Sequence, residues 1–271
     1  MSDAVPLEAL ARRAVAGDRD ALDQVVQRLQ DRVYGLALRM LWNREDAEDA
    51  TQEVLVRVVT RLAQFDGRAK LTTWVYRIAV NYLLDVKRSP VERMQLTFER
   101  FAEDLAEGLG ADGPSPAEAS LLTEEVKIGC TLGMLQCLDR SHRLAYLLGE
   151  TLDLAGPEAA GALGISPELF RKRLQHARAA IEAFTRRHCG LASDDAVCTC
   201  NRRVPAALRL GRIDPERLSF AERPVSYDET RAYVRRVQDA RRALEVHRGS
   251  RPRPPSVEFL RGVIHALGRD R

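Results

Sequence analysis

Residues 46–88 read DAEDATQEVLVRVVTRLAQFDGRAKLTTWVYRIAVNYLLDVKR, two helical periodicities on either side of a turn. In the first, Ala47, Ala50, Val54 and Val58 recur every three or four residues and make one apolar stripe. Asp46, Asp49 and Glu53 lie on an adjoining stripe, and acids in a first turn suit the helix dipole. Asp66-Gly67 is a turn signal. Thr72 is then expected to cap the second helix, with Val75, Ala79, Tyr82 and Val86 as its core face. A second stripe on that helix carries Trp74, Arg77, Asn81 and Arg88, with Lys70 just ahead of it. A stacking ring, cations and an amide suit single-stranded or melted nucleic acid, where rings stack on bases and cations follow phosphates. The plain alternative is an amphipathic helix with a solvated basic face, and the stripe by itself fits both.

Composition narrows the class. The chain has 271 residues, 45% hydrophobic, 6% aromatic and 30% charged, as in an ordinary soluble helical protein with room for one large or two small domains. Its net charge is only +3, so any basic binding surface must be local. No apolar run approaches the ~18 residues a membrane helix needs. The N-terminal MSDAVPLEAL has acids where an export signal would be basic, and the cysteine count is odd at five. These features point to a cytoplasmic protein with reduced thiols and no membrane partner. A phosphate-binding loop, a dinucleotide glycine signature, a nucleophile elbow and a HExxH motif are all absent, so no catalytic residue is assigned and no enzyme is expected.

Outward from the central stretch, residues 5–31 read as a helical hairpin turning at Gly17-Asp18, followed by a separate helix from Arg32 to Trp42 and a turn opened by Asn43. Residues 91–123 lose periodicity, gather glycine and proline, and read as a linker with a short helix from Phe98 to Leu109. A second unit over 124–187 has helical core positions at Leu132, Leu135, Leu138, Leu144, Leu147 and Leu148. Cys130 and Cys137 read there as small buried hydrophobes. Leu154–Ile181 has the form of a helix-turn-helix. Pro157 suits a first turn, Leu163-Gly164-Ile165 a tight turn, and Ser166-Pro167 a helix start. Phe170, Leu174, Ala177 and Ile181 form its buried stripe, leaving Glu168, Arg171, Lys172, Gln175 and Arg178 to face base edges in a major groove. A plain helical hairpin with a charged outer face is the alternative.

DAEDATQEV with TTWVYRIAVNYLLDVKR resembles the second conserved region of bacterial sigma-70 family factors, and more narrowly the extracytoplasmic-function (ECF) group. Gly149–Ala183 is similar to the fourth conserved region of that group. The resemblance implies an all-α fold of two small helical domains, 1–90 and 124–187, joined by the flexible linker 91–123, which in the family threads through polymerase channels. It implies core RNA polymerase and promoter DNA as partners, no required cofactor, and catalysis left to the polymerase. Asp46, Asp49, Gln52 and Glu53 would dock a coiled-coil element of the polymerase largest subunit. Lys70, Thr72, Thr73, Trp74, Arg77, Asn81 and Arg88 would hold the melted −10 strand, and Ser166, Glu168, Arg171, Lys172, Gln175 and Arg178 would read the −35 element. The segment GPEAAGALG departs from the family: Ala159 and Gly161 stand where a bulkier residue and a better helix former are usual. Glycine in a helix interior costs roughly 1 kcal/mol against alanine.

Residues 188–271 form a mainly helical C-terminal extension beyond the point where the family usually ends. It opens HCGLASDDAVCTCNRR, so His188, Cys189, Cys198 and Cys200 are four soft donors close in sequence, enough for a tetrahedral zinc site. The alternatives are a redox or metal-sensing switch, for which Arg202 and Arg203 would lower a thiol pKa, and reduced structural cysteines. Val204 to Phe220 reads as a short helix and a loop. Ser226 and Glu229 make a capping box ahead of a helix with Tyr233, Val237, Ala240 and Leu244, and Ser256 caps a last helix with Phe259, Leu260, Val263, Ile264 and Leu267 after RPRPP. The expectation is that the extension packs on the helical domains and regulates the chain in cis, replacing or supplementing an anti-sigma protein. Its alternative is a basic lobe that adds DNA affinity. A stand-alone helix-turn-helix regulator with a metal- or redox-responsive tail is the other reading of the chain, and it leaves residues 46–88 unexplained.

Overall fold

The Asp18 carboxylate accepts a hydrogen bond from the Ala21 N–H at 3.0 Å and starts a helix that runs 23 residues, to Leu41. Nothing at Arg32 interrupts it: no glycine or proline falls there, and the apolar face continues through Leu29, Val33, Leu36 and Met40, all fully buried. The two helices expected on either side of Arg32 are therefore one. The computed structural model describes residues 5–88, 90–109, 119–216 and 218–221. In chain order the helices are α1 (Leu7–Val15), α2 (Arg19–Leu41), α3 (Arg44–Arg61), α4 (Leu71–Asp85), α5 (Pro90–Arg93), α6 (Phe98–Ala106), α7 (Ala119–Gln136), α8 (Arg140–Tyr146), α9 (Gly156–Leu163), α10 (Pro167–His188) and α11 (Cys200–Arg209). No strand occurs among the described residues, and none of their helices is long and apolar enough to cross a membrane. The fold is all-α. The Ser226 and Glu229 capping box, the helices expected around Tyr233 and Phe259, and the RPRPP run lie outside the described residues.

Two units divide the chain. The first holds α1 to α4 and the segment Leu154–Phe170, which carries α9. Here α2 packs against α1, α3 and α4, and α4 packs against α9. Asn43, expected to open a turn, caps α3 by accepting from the Asp46 N–H at 2.9 Å. Thr72 does not cap α4. The helix starts one residue earlier, at Leu71, whose N–H donates instead to the Glu8 carboxylate at 3.1 Å. Tertiary contact here supplies what a local cap would have supplied. Ala159, Ala160 and Ala162 of α9 are fully buried, and small side chains let two helices approach closely. This gives the departure at Ala159 a packing reason. Gly161 has none: it is exposed, with nothing within 4 Å of where its Cβ would stand. Gly164 then takes φ +65°, the left-handed geometry that ends α9 and turns the chain.

The second unit holds Pro90–Asp153 and the chain from Arg171. The segment expected as linker contributes to its interior. Glu92 is buried and holds both Arg140 (Nη2 to Oε2, 2.6 Å) and Arg143 (Nη1 to Oε1, 2.9 Å). Arg143 also donates to the Leu135 and Leu138 carbonyls, both at 2.9 Å, satisfying acceptors that the end of α7 leaves open. The helix expected near Phe98 is α6, and Phe98 and Phe101 both lie against Phe184 of α10, with ring centroids 5.3 and 5.4 Å away.

The start of the C-terminal extension is built into this same unit. Thr199 caps α11, which packs along α7 through Val204 and Ala207 against Val126. Arg203, buried, donates to Asp104 (2.8 Å) and to the Glu107 carbonyl (2.8 Å) at the end of α6. Buried Glu125 of α7 accepts three backbone N–H groups, from Ser219, Phe220 and Ala221, each at 2.8 Å.

Two outcomes follow from this packing. Gly161→Ala should raise the stability of the chain by about 0.5–1 kcal/mol, read as a higher urea midpoint at unchanged slope, because it adds helix propensity without a clash. Arg203→Ala should lower stability by about 2–3 kcal/mol, since it removes the buried donor to the Leu105 and Glu107 carbonyls and leaves Asp104 to Arg212 alone. An Arg203→Ala chain as stable as the parent would mean the extension is not part of the unit's core.

Candidate nucleic-acid and polymerase interface

The start of α3 presents the acidic row. Asp46, Asp49 and Glu53 are spaced i, i+3, i+7 and share a face, with Asp49 and Gln52 exposed and Asp46 and Glu53 half-buried. Glu53 pairs with Arg57 at 2.9 Å, and the Arg57 guanidinium carbon lies 4.7 Å from the centre of the Tyr82 ring on α4. Burial, then the nearby Glu53 carboxylate, push the Tyr82 hydroxyl above its ordinary pKa. The acidic face is thus fixed to α4 by a cation–π contact.

On α4 the structure brings three of the seven expected strand-contacting residues to one open stripe: Trp74, half-buried, and Arg77 and Asn81, exposed, again at i, i+3, i+7. Arg88 is exposed but lies beyond the helix end at Asp85. Thr72 is half-buried. Thr73 is buried, with its hydroxyl enclosed and unbonded, so it faces the interior rather than the stripe. Lys70 is exposed, and its ammonium pairs with Glu158 of α9 at 3.0 Å. Phe65 was missed by the sequence reading. Its ring centre lies 5.8 Å from that of Trp74 at 56°, widening the aromatic surface. The signal available was its place just before Asp66-Gly67, where a short 3-10 turn ends.

On α10, Ser166 works as a cap, its hydroxyl accepting from the Leu169 N–H at 3.2 Å. Glu168, Arg171, Lys172 and Gln175 are exposed, while Phe170, Ala177 and Ile181 are buried as the spacing predicts. Arg178 is engaged: its guanidinium pairs with Glu150, a buried acid from a single π-helical turn over Leu147–Thr151. His176, beside Gln175, was not singled out from the sequence. Its ring lies 4.7 Å from His142, which Asp139 holds through Nδ1.

The extension's donors divide. His188 lies against Phe184 at 4.9 Å, in the aromatic set of α6 and α10. Cys189 and Cys200 pack together on Leu191, and the Gly190 N–H donates to the Cys198 carbonyl at 2.9 Å. Cys130 of α7, expected to be a plain buried hydrophobe, lies within electrostatic reach of all three of these thiols. Burial pushes every one of them up, Cys198 to about 11. Arg203 lowers Cys130 and Cys198 but does not offset that burial, so the low-pKa thiolate expected beside Arg202 and Arg203 does not form. As the side chains stand, no three His, Cys, Asp or Glu groups among the described residues are arranged to hold a metal ion.

Comparison with known proteins places these faces in a family. The sigma-70 region 2 family matches residues 25–90, which span α3 and α4. RNA polymerase sigma factor NccH of Alcaligenes xylosoxydans xylosoxydans is 35% identical over 186 residues, covering 68% of this chain and 97% of that protein. The ECF RNA polymerase sigma-E factor of Escherichia coli (strain K12) is 30% identical over 67% of this chain and 95% of its own length. ECF RNA polymerase sigma factor SigW of Bacillus subtilis (strain 168) is 29% identical over 61% and 89%. An acidic α3 face joined to an aromatic and basic α4 stripe, inside the matched region and beside relatives covered almost end to end, carries one conclusion: this chain belongs to the ECF group of sigma-70 family RNA polymerase sigma factors, proteins of transcription initiation.

Proposed function

We propose that the chain recruits core RNA polymerase to promoters and opens their −10 element. The observation that carries this reading is the α4 stripe: Trp74, Arg77 and Asn81 stand in one row on a helix whose other face is buried, with Phe65 beside the tryptophan. Rings that stack on bases and a cation that follows phosphate are what a displaced single strand requires. Asp49 and Gln52, flanked by Asp46 and Glu53, supply an acidic patch for a basic element of the polymerase largest subunit, anchored to α4 through Arg57 and Tyr82. Arg171, Lys172, Gln175 and Glu168 are the −35 readers. Arg178 supports them by holding α10 to Glu150, and Ser166 by capping the helix. Promoter opening is binding energy spent on unstacked bases, so the chain itself needs no catalytic group and no cofactor for it.

Lys70 is expected on the melted strand, yet Glu158 of α9 already occupies it. Strand capture then includes breaking that pair, and the same pair offers a way for the chain to restrain itself. The extension adds to that restraint: its first part is seated on α7 of the unit that carries most of α10. A separate anti-sigma protein is the other source of control.

Four outcomes test the proposal. Run-off transcription with purified core polymerase should yield specific transcripts with the full chain and none with core alone. Truncation after Ala221 keeps the contacts of Arg203 and Glu125, which truncation after Arg187 would remove; restraint in cis predicts more transcript from the shortened chain, and unchanged or weaker transcription sinks it. Glu158→Gln should tighten binding of a −10 single strand by up to about fivefold, since an exposed ion pair is worth at most about 1 kcal/mol. Replacing Arg171 or Gln175 by alanine should cost ~1–3 kcal/mol at one base pair and relax specificity there. A uniform loss across all sequences would make them phosphate contacts instead.

A further inference from the structure

We infer that Cys130, Cys189, Cys198 and Cys200 form a four-thiolate site for one soft divalent cation of the zinc class, joining α7 to the start of the extension. The donors come from three stretches that the fold brings together. Cys130 lies on α7 one turn beyond Val126, the residue on which α11 packs. Cys200 is the first residue of α11, at a helix N-terminus capped by Thr199, where a thiolate is favoured. Cys198 and Cys189 sit on two backbone segments tied by the Gly190 to Cys198 hydrogen bond, and Cys189 shares the apolar contact of Cys200 at Leu191.

A second observation concerns Cys189 alone. The Ala192 and Ser193 N–H groups both donate to its carbonyl at 3.0 Å, so the chain turns directly after this thiol. The His188 ring is committed to Phe184 instead. The expected donor set of His188, Cys189, Cys198 and Cys200 therefore exchanges its imidazole for a thiol far upstream in sequence.

The sulfurs do not yet stand at coordination distances. Tetrahedral thiolate coordination needs four sulfurs about 2.3 Å from one centre, which rotation about each Cα–Cβ bond can supply from a shared cluster. A cation that displaces the four thiol protons leaves the site at two negative charges, and Arg203, three residues after Cys200, lies on the same helix α11.

Cobalt reads the site directly in the full-length chain under reducing conditions. One equivalent of Co2+ should give the intense visible bands of a tetrahedral site and a sulfur-to-metal charge-transfer band of four-thiolate strength, and one equivalent of Zn2+ should abolish both. Cys130→Ser should weaken zinc binding at least tenfold, and His188→Ala should change it less than twofold. Absence of the charge-transfer band in the unsubstituted chain overturns the site. So does a three-thiolate spectrum that is lost on His188→Ala. If Cys130→Ser does not fold, the band strength of the unsubstituted protein still counts the thiolates. The readout is independent of transcription, so a chain that fails to start transcripts can still bind the metal, and the reverse.

Discussion

Arg143 is the side chain on which the second unit depends. One guanidinium on α8, a helix capped by Asp139, joins a buried acid from α5 to the carbonyls at the end of α7. Transferring such a pair out of water is costly and is offset only when the remaining donors are satisfied. Here they are, by Glu92 and by backbone carbonyls. The consequence runs down the chain. With α8 fixed, the π-helical turn at Leu147–Thr151 directs Glu150 inward, and Glu150 receives Arg178 from α10. The placement of α10 is thereby linked to an acid that the sequence would assign to a linker.

In the first unit the governing constraint is close approach. Three buried alanines let α9 lie against α4, and the pair of Lys70 with Glu158 forms at the margin of that contact. A bulkier residue at Ala159 would force the helices apart and remove the acid from reach of the lysine. These alanines suit both the helix and its packing, and the weak point of α9 is the exposed Gly161.

How much of this was legible depends on range. The α3 and α4 stripes are local: a period of 3.6 residues writes them into consecutive side chains, and so Trp74, Arg77 and Asn81 could be read directly. Phe170, Ala177 and Ile181 were legible for the same reason. Thr72 failed as a cap because α4 already starts at Leu71, whose N–H is met by Glu8 from the first helix. Arg32 failed as a boundary because nothing there breaks a helix. Arg178 was read as a free reader since Glu150 lies in a turn whose π geometry has no sequence signature. The nearness of Cys130 to the cysteines of the extension was not legible, because the helices α8, α9 and α10 separate them in the chain. The extension was expected to pack on the helical domains, but the residues that seat it could not be named, because the long-range bonds of Arg203 and Glu125 leave no periodic trace.

Those bonds also set an order of events during synthesis. Glu125 lies early in the second unit, yet its three hydrogen-bond donors are residues 219–221. The ribosome delivers α7 and α10 well before it delivers the segment that closes over them. Until Ala221 has emerged, a buried carboxylate waits without its donors and α7 lacks the apolar cover of α11. A message cut short within this region would thus give a chain with α3, α4 and α10 all present and no completed scaffold for the second unit, so that unit matures only after translation has passed well beyond its other helices.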